Sequence, residues 1–135
     1  MAGDAWSAPA APPTLAAASL SEDERRVVLR LVELLREEFG DRLRAVWLYG
    51  SRARGEPPRE ESDVDLLVIA EPDTGDDGLT AILLIDRAVQ ELGISPYPIV
   101  SIHVWTPEWL AHRRRIESFF IQEVDRDKIA LFGDT

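Results

Sequence analysis

Asp63-Val64-Asp65 opens an apolar run that continues to Ala70, and a second apolar run, Leu43 to Tyr49, ends just upstream in Gly50-Ser51. Short apolar runs bounded by turn residues read as β-strands. Side chains two apart on a strand project to one face, so Asp63 and Asp65 point together, toward whatever the Gly50-Ser51 turn holds. Two like charges side by side repel, and burying them unpaired is costly. A divalent cation removes that cost, and Mg²⁺ is commonly held by one or two carboxylates plus substrate phosphates. Backbone N–H groups after a glycine turn, where a helical turn starts, form a phosphate cradle. The stretch from Trp47 to Ile69 therefore reads as a metal-dependent phosphate site. Its expected metal ligands are Asp63 and Asp65, for Mg²⁺ or Mn²⁺, and its phosphate holders are Gly50 and Ser51. Arg52 and Arg54 are candidates for contacting phosphates or an acceptor. An isolated Asp-x-Asp is by default a solvated pair at a strand start; the Gly-Ser turn placed before it tips the balance toward a site.

The rest of the chain supplies the frame. Ser21-Glu22-Asp23-Glu24 has the spacing of a capping box. Val27, Val28, Leu31, Leu34, Leu35 and Phe39 then recur at helical spacing, so a helix is expected from Ser21 to Phe39, closed by Gly40. Residues Glu71 to Gly78 form a turn cluster. Leu79 to Leu92 returns to helical spacing, with Leu79, Ile82, Leu83, Ile85, Ala88, Val89 and Leu92 as its apolar positions. Pro98 to Trp105 reads as a third strand, Thr106-Pro107 as a helix start, and Glu108 to about Val124 as one helix. The apolar piece Ile129 to Phe132 ends the pattern. The expected class is α/β (α+β), with a mixed central β-sheet flanked by helices, because the two runs around the acidic pair are joined by a loop and not by a crossover helix.

Composition narrows the partners. The chain has 135 residues, no cysteine, and 25 acidic against 15 basic residues, for a formal charge of −10. A chain of this length reads as a single domain, here expected over residues 21–135. The first twenty residues, Ala/Pro-rich with Asp4, Pro9, Pro12 and Pro13, are expected to be a disordered tail rather than a signal peptide. The absence of cysteine fits a cytoplasmic setting, and no run approaches the length of a membrane span. Strong nonspecific nucleic-acid binding is not expected of so acidic a chain. Trp6 and the apolar C-terminal piece leave homo-oligomer contacts open.

The central stretch resembles the nucleotidyltransferase fold of the DNA polymerase beta superfamily, in particular its small stand-alone minimal nucleotidyltransferases. The residues that carry the likeness are Gly50-Ser51, Arg52-Ala53-Arg54-Gly55, and Ser62-Asp63-Val64-Asp65-Leu66-Leu67-Val68. The loop from Arg52 to Ser62 is one residue longer than the usual form, with Pro57-Pro58 in it. The resemblance implies transfer of a nucleoside monophosphate from an NTP, with ATP as the expected donor, to a hydroxyl of a protein, an RNA or a small molecule. Relatives commonly add a third carboxylate from the neighbouring strand. The matching run here, Ile99 to Trp105, has no Asp or Glu, and Ser101 or His103 stands at that position. His103 is a candidate base or weak ligand, although a lone strand histidine is more often structural. The C-terminal layout, with Arg113-Arg114-Arg115 and Phe119-Phe120, looks like a branch defined by its domain alone. Small proteins of this type are often paired with a HEPN-domain partner as antitoxin and toxin. The alternative expectation is therefore an antitoxin-like binding module with weak or no catalysis.

Overall fold

The computed structural model describes residues 13–58 and 63–133. Ser62 and the first twelve residues, including Trp6, lie outside the described part. The elements run α1 (Pro13–Ala16), α2 (Glu22–Phe39), a 3-10 turn (Gly40–Arg42), β1 (Leu43–Tyr49), α3 (Gly50–Ala53), β2 (Val64–Ala70), α4 (Asp77–Leu92), β3 (Val100–Trp105), α5 (Pro107–Arg115), α6 (Phe119–Asp127) and β4 (Ile129–Phe132). The strands form one sheet in the order β3-β2-β1-β4. β1 pairs antiparallel with both β2 and β4, and β2 pairs parallel with β3 across the α4 crossover. The sheet is mixed, as the loop connection between β1 and β2 requires.

Alternation along β1 and β2 builds two cores. Val46, Leu48, Val64, Leu66, Val68 and Ala70 join the buried side chains of α2 and α4 on one face. On the other, Ala45, Trp47, Leu67 and Ile69 pack with Leu110 of α5 and Ile121 and Val124 of α6. With helices on both sides, β1 and β2 are apolar nearly throughout, which is why they read as continuous runs. The second face is the one that carries Asp63 and Asp65 at its edge.

α2 begins as its sequence dictates. Ser21 accepts from the Glu24 N–H while Glu24 accepts from the Ser21 N–H, the reciprocal capping box. α4 starts two residues earlier than its apolar spacing suggests, because Asp76 caps it by accepting from the Leu79 N–H. Its buried stripe is Ala81, Leu84, Ile85, Ala88, Val89 and Leu92. Leu79, Ile82 and Leu83, expected on that stripe, are each more than half exposed instead. The expected helix Glu108–Val124 is two helices. Glu117 adopts φ 52°, and Ser118 caps a fresh start by accepting from the Ile121 N–H. A left-handed residue followed by a capping serine breaks the ladder. The break turns α6 back over the sheet and exposes Ile116, Phe119 and Phe120.

The apolar piece Ile129–Phe132 is a sheet strand paired with β1. Residues 13–20 belong to the fold and not to a tail. Leu15 is fully buried and Ala18 nearly so, both in the α2/α4 core. The segment is tied down by the Ser19 N–H donating to the Arg52 carbonyl at 2.9 Å and the Ser19 hydroxyl donating to the Glu56 carbonyl. Alanine and proline hid a single well-placed leucine. Leu15→Ala should destabilise the protein by about 2–4 kcal/mol, read as a lowered urea midpoint with an unchanged m-value.

Candidate active site

The β1–α3 junction brings the Gly-Ser turn under the acidic pair. Gly50 has φ 78°, a left-handed conformation that favours glycine, and a Cβ placed there would lie 2.6 Å from Asp65 Oδ2. Only a residue without a side chain lets the carboxylate sit this close to the turn. Gly50 and Ser51 are the first two residues of α3, a single helical turn that leaves β1 beneath the carboxylate. In the sheet, Asp65 lies opposite Tyr49 of β1 on one side and Ser101 of β3 on the other. His103 is the next same-face residue along β3, paired with Leu67. The structure thus brings together Gly50, Ser51, Asp63, Asp65, Ser101 and His103.

The electrostatics identify Asp65 as the strained member. Burial pushes its carboxyl above the ordinary range, and the charge of Asp63 pushes it further, while His103 and Arg52 pull it partly back. Burial and the Asp65 charge likewise raise the Tyr49 phenol. A half-buried carboxylate beside a second one is an arrangement that a cation relieves, and an all-oxygen donor pair suits Mg²⁺ or Mn²⁺. Among the described residues no group of three or more His, Cys, Asp or Glu side chains is positioned to hold a metal. Among the described residues the carboxylates at the turn are thus the pair Asp63 and Asp65.

The two arginines of the loop have other commitments. Arg52 is buried, and its guanidinium donates to Glu24 Oε1 at 2.8 Å and to the Ser19 carbonyl at 3.0 Å. It clasps the capping box of α2 and the N-terminal segment to the turn, and its charge acts on Asp65. Arg54 is exposed and pairs with Glu56 and, at 3.4 Å, with Asp127 of α6. The guanidinium groups of both are thus held in ion pairs, Arg52's being the buried one. A sequence reading that starts from charge next to a phosphate loop has no means of seeing Glu24 arrive from 28 residues upstream.

The sequence reading also passed over the aromatic surroundings. Tyr49, His103, Trp105, Trp109, Arg113 and Phe120 line a cleft on the same face of the sheet. The one available signal was the Trp109/Arg113 spacing of four, which places both on one side of α5.

A profile of the nucleotidyltransferase domain matches residues 28–124. The chain belongs to the nucleotidyltransferase domain family. The match runs from within α2 into α6, and so contains both the Gly-Ser turn and the acidic pair. No curated protein matches this nucleotidyltransferase domain in sequence. Among solved structures, a mutant of the toxin–antitoxin MntA–HpeT is similar at 22% identity, covering 78% of this chain and 72% of that one with a TM-score of 0.46. A toxin–antitoxin with AMP-PNP is similar at 23% identity, covering 78% and 73%, with a TM-score of 0.47. No helix among the described residues is long and apolar enough to cross a membrane.

Two outcomes follow from this geometry. Arg52→Ala leaves Glu24 without its buried partner and should cost about 3 kcal/mol. Burial pulls the Glu24 carboxyl upward, but the Arg52 and Ser21 hydrogen bonds and the Arg52 charge outweigh it, leaving it below the ordinary range. Its share of the stability is present above the unfolded-state value and lost as pH falls through the folded one. The wild-type advantage over Arg52→Ala should therefore shrink in acid melts. Asp65 has the opposite sign: a carboxyl raised in the folded state stabilises at low pH and loses that contribution as pH rises through its folded value. Metal-free Asp65→Asn should thus melt higher than wild type at pH 7, with the difference closing in acid.

Proposed function

We propose that this chain is a metal-dependent nucleotidyltransferase that binds an NTP, with ATP as the expected donor, through Asp63, Asp65, Gly50 and Ser51. It transfers the nucleoside monophosphate to a hydroxyl of a protein, an RNA or a small molecule and releases pyrophosphate. The observation that carries this reading is the close approach of the Asp65 carboxylate to the Gly50 turn, with the Asp63 charge beside it, inside a chain of this family. A bound Mg²⁺ or Mn²⁺ would supply charge neutralisation for the phosphates and the developing pyrophosphate. Asp63 and Asp65 hold that cation through carboxylate oxygens. Gly50 and Ser51 offer backbone N–H groups and a hydroxyl to the phosphates. The acceptor oxygen forms a bond to the α-phosphorus as the bond to pyrophosphate breaks, in line with the leaving oxygen. On this reading the exposed His103, on the same face of β3 as Ser101, takes the acceptor's proton.

A second reading rests on one observation: β3 presents Ser101 and His103 beside Asp65, and no carboxylate. Without a third acid the same scaffold serves as an antitoxin-like module that binds a partner, with a HEPN-domain toxin as the expected one, while catalysing weakly or not at all. Its acidic charge would complement a basic partner surface.

Transfer of label from ATP labelled at the α-phosphate separates the two. With candidate acceptors, including a co-purified partner, the enzyme reading predicts metal-dependent labelling. Asp63→Asn and Asp65→Asn should lower it by about 100-fold or more, the scale of losing a group that stabilises transition-state charge. Labelling that persists in both variants would refute the assignment of the site. No labelling, with partner binding equal in wild type and both variants, would favour the binding module.

A further inference from the structure

The cleft beside the acidic pair has about 290 Å³ of space and is lined by Tyr49 of β1, His103 and Trp105 of β3, Trp109 and Arg113 of α5, and Phe120 of α6. Its walls are flat rings. Trp105 and Trp109 stack with centroids 4.7 Å apart and planes 8° from parallel. The Arg113 guanidinium lies against the Trp109 ring, 5.6 Å from its centroid. Opposite, Phe120 meets Tyr49 edge-to-face, with centroids 5.6 Å apart at 89°. Trp105 and Phe120 nevertheless remain 40% and 43% exposed. Their ring surface is thus only partly spent on the core, and it borders an open, shaped cleft.

Position and charge say what belongs there. Tyr49 sits directly opposite Asp65 in the sheet, and His103 is one same-face step along β3 from Ser101, the other partner of Asp65. That step is about 7 Å at ~3.3 Å per residue, so the cleft begins where the carboxylates end. Among the described residues no carboxylate lines it, and Arg113 is the one permanently charged lining group, in a chain whose formal charge is −10. A flat aromatic ligand tethered to an anion matches both walls and charge. An aliphatic ligand would leave the ring faces without a planar partner, and a cationic one would oppose Arg113. We propose that this cleft seats the nucleobase of the donor nucleotide, stacked by Trp105 and Phe120, with the sugar spanning the step to phosphates held at Asp63, Asp65 and Gly50. This rests on the nucleotide-binding reading above and adds to it the seat of the base and a preference for purines, whose larger rings cover more of the walls.

The test compares two probes, Mg²⁺–ATP and Mg²⁺–tripolyphosphate, which has the phosphates without sugar or base, by calorimetry on the full chain. Wild type should bind ATP at least ~10-fold more tightly than tripolyphosphate, the scale of one stacked base, and ATP should quench tryptophan fluorescence. Trp105→Ala and Phe120→Ala, both at partly exposed positions, should each weaken ATP while leaving tripolyphosphate unchanged; Trp105→Phe should restore most of the loss. If both alanine variants, folded by circular dichroism, bind ATP as wild type does, the base sits elsewhere although the nucleotide site stands. If wild type binds neither probe, the nucleotide site itself is refuted and this assignment with it.

Discussion

The approach of the Asp65 carboxylate to Gly50 is the constraint on which the rest of the site depends. The space that a Cβ would fill is occupied by Asp65 Oδ2, so turn and carboxylate are fitted to one another. That fit needs β1 and β2 in register, with Tyr49 opposite Asp65, and it needs α3 to leave β1 at a left-handed residue. Both requirements draw on the apolar strands, whose burial on two faces fixes register, because a slip of one residue would exchange the faces. Sheet packing thus determines where a pair of charges sits. The arrangement leaves Asp65 poorly solvated beside Asp63, a conflict tolerated in the fold and of the kind that a cation relieves. Local conflicts of this kind concentrate at functional sites.

A second constraint holds the turn from behind. Arg52, sequence neighbour of the Gly50-Ser51 turn, points back into the protein and bonds the Glu24 carboxylate and the Ser19 carbonyl. Glu24 is simultaneously the return partner of the α2 capping box. One carboxylate therefore ends a helix and anchors the loop that forms the site, with the segment around Leu15 and Ser19 packed over both. The geometry of Gly50 and Ser51 is in this way linked to the N-terminal segment as well as to the sheet.

Much of this was legible in the sequence where a local rule decides. The capping box, the limits of β1 and β2, the shared face of Asp63 and Asp65 and the mixed sheet all follow from spacing within a few residues. What the sequence concealed is non-local. Leu15 lies in an Ala/Pro-rich stretch whose composition suggests disorder, and one buried side chain reverses that. Arg52 looks like a phosphate ligand until Glu24 is seen to reach it. Leu79, Ile82 and Leu83 satisfy the helical period, but the adjacent stripe from Ala81 to Leu92 is the one that meets the core. Glu117 and Ser118 break a helix by backbone conformation and capping, which apolar periodicity does not report. The aromatic cleft is assembled from three elements and has no linear signature.

The family relationship and the geometry leave β3 as the point at which function divides. Ser101 lies opposite Asp65 and His103 one same-face step along β3, a strand without Asp or Glu, so binding and turnover are separable questions in this chain. If the acidic pair and the Gly50 turn together hold a metal–nucleotide complex, thermal melting with ATP, with and without Mg²⁺, on wild type and Gly50→Ala will report it. A nucleotide at 100 times its dissociation constant stabilises by about 2.7 kcal/mol, a shift of several degrees in a domain of this size. A metal-dependent rise of that order in wild type, absent in Gly50→Ala measured against its own nucleotide-free melt, is the predicted result. Equal shifts in the two proteins, or none in wild type, would contradict the account.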